Sequence, residues 1–201
     1  MRSFNCFFLF FLFCFNSIDY LNAQSKTVFF SQDTHWADSI LSEMNDEEKI
    51  AQLLMVAAYS NKDASHKQFV SELIKKYKIG GLMFLQGGPV RQAKLTNYYQ
   101  SISKTPLMIA IDAEWGVAMR LDSCLSFPWQ MTLGAISDEN LIYDMGVEIA
   151  RQCKLLGIHI NFAPVVDVNS NPNNPIINNR SFGENALKVG ELSIAYMKGM
   201  Q

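Results

Sequence analysis

The chain is short of charge and of cysteine, and both shortages narrow what it can be. Asp, Glu, Lys and Arg make up only 18% of the 201 residues, and the formal net charge is −2. A balance so near neutrality gives no electrostatic footprint for nucleic acid or for an anionic membrane surface. There are four cysteines, and Cys6 and Cys14 lie in a leading apolar segment, which leaves too few for a disulfide scaffold. His35, His66 and His159 are isolated from one another and from the thiols in sequence, so no metal site is expected. Glycine-rich phosphate turns are missing as well: Gly80-Gly81 and Gly87-Gly88 flank an apolar run and match neither a dinucleotide fingerprint nor a P-loop. No repeat, low-complexity tract or long linker divides the chain, and 49% hydrophobic residues is a globular composition.

A long apolar run occurs in one place. After Arg2, Phe7 to Phe15 is almost unbroken aromatic and aliphatic surface, too short to span a bilayer by the ~20-residue rule. It has the length of a signal-peptide core, and Leu21-Asn22-Ala23 before Gln24 offers a small residue at a cleavage position. Leu12-Phe13 before Cys14 are not the small residues of a lipoprotein site. Residues 1–23 are therefore expected to be a signal peptide and residues 24–201 the mature part. Export to the periplasm or beyond follows, with no stable membrane span after cleavage. Cys124 and Cys153 remain. Export permits a disulfide between them, but Cys153 falls on the apolar stripe of a helix, which favours a buried free thiol.

The mature part alternates helix-like and strand-like segments. Asn45 with Glu48 forms a capping-box pattern opening a helix through Ile50, Leu53 and Leu54. The run Leu53 to Ala58 fits either that helix or a first buried strand. Phe69, Leu73, Ile74 and Tyr77 share one face of a second helix. Ile79 to Leu85 reads as a strand, and Pro89 suits the first turn of the next helix. Pro106 to Ile111 is the clearest strand, ending at Asp112. Ser137 is an N-cap candidate, with Leu141, Met145, Ile149 and Cys153 along the helix and Gly157 at its end. Ile158 to Val168 reads as another strand, residues 169–179 as an Asn- and Pro-rich loop, and Ser181 with Glu184 as a last capping box.

Apolar strands linked by helical crossovers imply an α/β fold with a parallel sheet covered on both faces. An open doubly wound sheet and a closed barrel both satisfy that pattern. The absence of a phosphate turn counts against the first. Polar residues at separate strand ends, Asp112 and Asp167 among them, favour the second. About four strand–helix units are legible where a full barrel takes about 250 residues. The expected architecture is the amino-terminal half of a (β/α)8 TIM-type barrel, truncated.

Four segments, Ile111-Asp112-Ala113-Glu114-Trp115-Gly116 with Arg120, Phe127-Pro128-Trp129-Gln130-Met131, Phe162 to Val168, and Asn179-Arg180-Ser181-Phe182-Gly183, occur in the order and spacing of glycoside hydrolase family 3. The opening Asp46 to Leu53 is similar to that family's entry helix. Over residues 40–201 the chain resembles the family's amino-terminal barrel domain, and most closely its bacterial β-N-acetylglucosaminidase branch. The resemblance implies a retaining hydrolase that removes β-linked sugars from the non-reducing end without metal or organic cofactor. It places Asp112 against sugar hydroxyls in the subsite of the cleaved residue, with Arg120 and Arg180 beside it. Those residue types suit the task, since a carboxylate accepts from two neighbouring hydroxyls and a guanidinium offers fixed donors. Trp115 departs from the glycine found there in many members.

The branch's Lys-His pair, its acid/base histidine and its nucleophilic aspartate belong to later segments that do not occur before Gln201. Retaining hydrolysis needs both groups, so this stretch by itself is expected to be inactive and to contain no catalytic residue. Glu114, Trp115 and Asp167 are site-shaping candidates, Glu114 through pairing with an arginine. Trp115 and Trp129 either stack on a sugar or pack against loops. His159, inside a strand, is expected to be a core residue. The expected substrate is a β-linked amino sugar, peptidoglycan fragments being the family-level choice. A glucosidase or xylosidase of the same family and a non-catalytic carbohydrate-binding protein are the alternatives.

Overall fold

A computed structural model describes residues 33–201, so the expected signal peptide of residues 1–23 lies outside the described residues. The chain divides into a leading unit, residues 1–44, and a second unit, residues 45–201. Within the first, α1 (His35–Ser42) buries none of its residues.

The second unit is built on a four-stranded parallel sheet, β1 (Met55–Tyr59), β2 (Gly81–Gln86), β3 (Met108–Ile111) and β4 (Ile160–Asn161), in spatial order β1-β2-β3-β4. A doubly wound sheet reverses its order at a switch point. Here every strand pairs with the next in sequence, as consecutive staves of a barrel do. That order separates the two architectures which strand composition left open. Ala58, Leu82, Phe84, Ile109 and Ile111 are at most 1% exposed, because helices cover their outer sides and neighbouring strands their edges.

The helices start where local chemistry allows. The capping box of Asn45 and Glu48 is present and opens α2 (Asp46–Ala51). That helix stops before Leu53 and Leu54, and the apolar run then enters β1. Asp63 caps α3 (Ala64–Glu72) by accepting from the His66 N–H. This helix runs into a π-helical turn, Leu73–Tyr77, that ends on Lys78 in the left-handed region. The extra residue per turn rotates the buried face. Val70 and Ile74 are buried, whereas Phe69 and Tyr77, expected on the same face, stand 54% and 51% exposed. Pro89 begins α4 (Pro89–Ile102) after Gly88, and a short α5 (Gln130–Leu133) follows the loop after β3.

Asp138, not Ser137, caps α6 (Glu139–Leu155) by accepting from the Asn140 N–H. At the other end the Ile158 N–H donates to the Cys153 carbonyl (2.9 Å) around Gly157 at φ +68°, a Schellman-type stop. The buried stripe of α6 is Ile142, Met145, Ile149 and Cys153, while Leu141 is 55% exposed. Asn185, and neither Ser181 nor Glu184, caps α7 (Ala186–Met200) through the Leu187 and Lys188 N–H groups. The hydroxyl of buried Ser181 is committed elsewhere, to the Asp167 and Gly183 carbonyls. Helices α6 and α7 touch backbone to backbone: a Cβ on Gly146 would lie 2.6 Å from the Tyr196 carbonyl oxygen. Only glycine permits that approach.

The expected strand from Ile158 to Val168 is reduced to two residues. Asn161 substitutes its side chain for the ladder, Ala163-Pro164 is a cis peptide, and Val165 pairs with the side chain of Gln130 instead of a strand. His159 is exposed rather than packed in the core, and its Nδ1 accepts from the Ile109 N–H (3.0 Å). Among the described residues no helix is long and apolar enough to cross a membrane.

Cys124 and Cys153 are both free thiols. Burial pushes the Cys153 thiol up to about 11, and burial with the charge of Asp122 raises Cys124 less. The thiolate is the reactive form, so at pH 8 iodoacetamide should label Cys124 well before Cys153. Peptide mapping after timed alkylation checks the order, and Cys153 should become fully reactive only in denaturant.

Candidate functional site

In a parallel sheet all carboxyl ends of the strands share one edge, and the loops leaving that edge carry the polar residues. Asp112 follows β3 directly. Arg120 returns to it from the end of a short 3-10 turn, Val117–Met119: its Nη2 pairs with the Asp112 carboxylate and its Nε donates to the Asp112 carbonyl (3.1 Å). Gly87, at the end of β2, holds the returning segment through Gly87 N–H to Arg120 carbonyl (3.1 Å) and Asp122 N–H to Gly87 carbonyl (2.7 Å). The guanidinium is therefore positioned from both its own loop and the neighbouring strand.

Glu114 lies two residues beyond Asp112 and is 1% exposed. A buried carboxylate is costly unless paired and hydrogen-bonded. Arg180, from the 3-10 turn Asn178–Arg180 of the distant Asn-rich segment, supplies Nε at 3.0 Å to both carboxylate oxygens and Nη2 at 2.7 Å. Its Nη1 reaches the Ile176 carbonyl at 3.3 Å. The hydrogen bond to Glu114 raises the Arg180 pKa further, with smaller contributions from the charges of Asp112 and Asp167. Asp112, Arg120, Glu114 and Arg180 thus form two carboxylate–guanidinium pairs side by side, and the pairing foreseen for Glu114 is with Arg180.

Asp167 is exposed and fixes its loop through its main chain: the Ser181 hydroxyl donates to the Asp167 carbonyl at 2.6 Å. Its carboxylate contributes field rather than a contact. The indoles of Trp115 and Trp129 stack on each other with centroids 4.2 Å apart.

Three supporting residues were not foreseen. Asn161, at the end of β4, accepts from the Ala113 N–H (2.9 Å), and its amide donates to the Ala113 carbonyl and the Tyr196 hydroxyl (3.4 and 3.3 Å). The Tyr196 hydroxyl, from α7, also donates to the Ala113 carbonyl at 3.2 Å. Ala113 sits between the two acids, so a strand and a helix jointly pin the backbone that aims them. Burial raises the Tyr196 pKa well above the ordinary phenol range, so the hydroxyl remains a donor. A polar Asn inside an otherwise apolar strand was the available signal for the first; Tyr196 sits on an ordinary apolar helix stripe. The clip from Gln130 to the Val165 main chain (2.9 and 3.2 Å) likewise ties the loops after β3 and β4 together. Among the described residues no three potential metal ligands converge.

Residues 46–201 match the family described as the glycosyl hydrolase family 3 N terminal domain. The chain belongs to this family. Among its relatives, β-hexosaminidase A of Pseudoalteromonas piscicida is 42% identical over 145 residues, 66% of this chain and 24% of that protein. A β-N-acetylglucosaminidase/β-glucosidase of Cellulomonas fimi is 28% identical, over 83% of this chain and 29% of that protein. Among solved structures, a family 3 β-N-acetylglucosaminidase from Paenibacillus sp. str. FPU-7 superimposes with a TM-score of 0.69 at 32% identity, covering 79% of this chain and 31% of that one. A β-glucoside phosphorylase bound to 2FGlc gives 0.76 at 26% identity, covering 82% and 29%. The chain thus spans less than a third of the length of these four proteins, and its α/β architecture is that of the amino-terminal half of the family's TIM-type barrel.

Two substitutions test how the family 3 site is held. Glu114→Ala leaves Arg180 without its partner; because Arg180 keeps access to water, the expected loss is about 2 kcal/mol, below the ~3–5 kcal/mol for breaking a fully buried pair. Tyr196→Phe, which removes a single donor, should cost about 1 kcal/mol. Urea midpoints measured for both against the parent protein check the order.

Proposed function

We propose that the chain is the amino-terminal part of an exported, retaining exo-β-N-acetylhexosaminidase that removes terminal β-linked N-acetylglucosamine. The observation that carries the reading is the pair of carboxylate–guanidinium contacts at the end of β3, Asp112 with Arg120 and Glu114 with Arg180. Arg120 and Arg180 arrive from different loops and remain partly exposed, so their free N–H groups and the Asp112 carboxylate can meet the hydroxyls around one pyranose ring. Glu114, buried beneath Arg180, orients that guanidinium rather than touching sugar.

Hexosaminidase names among relatives favour the acetamido sugar, and peptidoglycan-derived fragments are the natural source of it for an exported enzyme. The Cellulomonas fimi relative is named for both acetylglucosaminide and glucoside activity, which makes a plain glucoside the comparison substrate. Asp112 and Glu114 are each engaged by a guanidinium, which suits binding and positioning roles. The family resemblance puts the acid/base and the nucleophile in later segments of the barrel, so this stretch binds without cleaving.

Purified residues 24–201 should release no 4-nitrophenol from 4-nitrophenyl N-acetyl-β-glucosaminide. In the full-length enzyme Asp112→Ala should lower kcat/KM by about 100-fold or more, the equivalent of losing two charge-assisted hydrogen bonds. Turnover by the fragment, or normal kinetics for Asp112→Ala, would remove the assignment. A faster rate on the glucoside would move it to the glucosidase alternative, and binding without turnover by the full-length protein to a carbohydrate-binding module. Amino-terminal sequencing of the exported product should begin at Gln24.

A further inference from the structure

The loops at the carboxyl ends of the strands carry one feature that the ion pairs do not use. Trp115 and Trp129, two of the chain's three tryptophans, stack with centroids 4.2 Å apart and planes inclined by 32°. Trp115 is half-buried, and Trp129 is 45% exposed. Both backbones are fixed. The Trp115 carbonyl accepts from the Phe127 N–H at 3.1 Å, and Gly116 behind it has φ +88° with Phe127 packed so close that no Cβ fits. Trp129 caps α5, whose first residue is Gln130, clipped to Val165. The stack immobilises the Trp129 ring yet leaves much of its surface open. A large aromatic held rigid and exposed beside a polar cluster has paid its ordering entropy before any ligand arrives.

Exposure rises in order across these residues. Glu114 is 1% exposed; the side chains of Asp112, Arg120 and Arg180 are 19%, 25% and 34% exposed; and Trp129, joined to this loop through its stack on Trp115, the residue after Glu114, is 45% exposed. Hydroxyls lie around the edge of a pyranose, where Asp112 and the two arginines can meet them. The C–H bonds of a β-linked ring line its faces, and an indole covers them well. Edge contacts from the polar groups and a flat apolar contact from the more exposed indole suit two successive rings of one chain.

We propose that Trp129, backed by Trp115, is the stacking platform for the second sugar of the substrate, the ring on the leaving-group side of the bond to be cleaved. The proposal rests on the reading of Asp112, Arg120 and Arg180 as the subsite of the terminal sugar. It makes the enzyme selective for oligosaccharides over glycosides with small leaving groups, through Trp129 and its partner Trp115.

The test uses the full-length enzyme and two substrates, the β-1,4-linked disaccharide of N-acetylglucosamine and methyl N-acetyl-β-glucosaminide. The readout is the ratio of their kcat/KM values. Trp129→Ala should reduce the preference for the disaccharide about tenfold, and Trp129→Phe, which keeps a ring, should restore most of it. Trp115→Ala should shift the ratio in the same direction by less. An unchanged ratio, or an equal loss on both substrates in Trp129→Ala and Trp129→Phe, overturns the platform. Asp112→Ala should lower both substrates together; if it lowers neither, or if the parent enzyme cleaves neither, the terminal-sugar reading fails and the platform with it.

Discussion

A carboxylate buried to 1% exposure three residues beyond the end of a strand sets the conditions for the rest of this site. Glu114 needs a cation with directed donors, and the chain supplies it from a turn 66 residues further on, where Arg180 donates through Nε and Nη2. That demand draws the Asn-rich segment across the end of the sheet. It also raises the Arg180 pKa, so the guanidinium that faces the site is both charged and fixed in direction. The Asp112–Arg120 pair beside it has a different support, since Gly87 of the neighbouring strand holds the Arg120 main chain.

Most of the remaining polar groups serve to keep this arrangement rigid. The Ala113 main chain is gripped by Asn161 and Tyr196, and the Val165 main chain by Gln130. In each case a buried or half-buried side chain satisfies backbone groups that leave the regular ladder, as buried polar groups must. The sheet therefore loses regularity where the site begins: β4 is two residues long because its continuation is engaged by side chains instead of a strand. Close contact of α6 with α7 at Gly146 brings Tyr196 within reach of Ala113, linking helix packing to the direction of the acids.

The family relationship and the geometry carry different parts of the functional picture. The match over residues 46–201 establishes membership of family 3, and glycoside hydrolysis is the reaction proposed for the whole protein. The local contacts divide labour among residues that sequence alone would have grouped together. Asp112 and Glu114 lie on the same strand end, yet one faces a partly open site and the other is sealed beneath an arginine. Asp167, which has the same chemistry, acts through its carbonyl.

Local rules were sufficient wherever a few adjacent residues decide the outcome. The capping box at Asn45, proline at the head of α4, the apolar β2 and β3, and Asp112 at a strand end were all legible, because each depends on backbone geometry within a turn or two. The motifs around Asp112, Arg120 and Arg180 were legible for a similar reason, being carried by short segments. Strand order was not, since composition is the same for a barrel and a doubly wound sheet and only pairing tells them apart. Nor were the exposure of Phe69, where a π turn shifted the helix face, and of His159, nor the shortening of β4 or the roles of Asn161, Tyr196 and Gln130. Those depend on which groups meet across dozens of residues, and burial, which sets the cost of leaving a polar atom unpaired, exists only once the chain has folded.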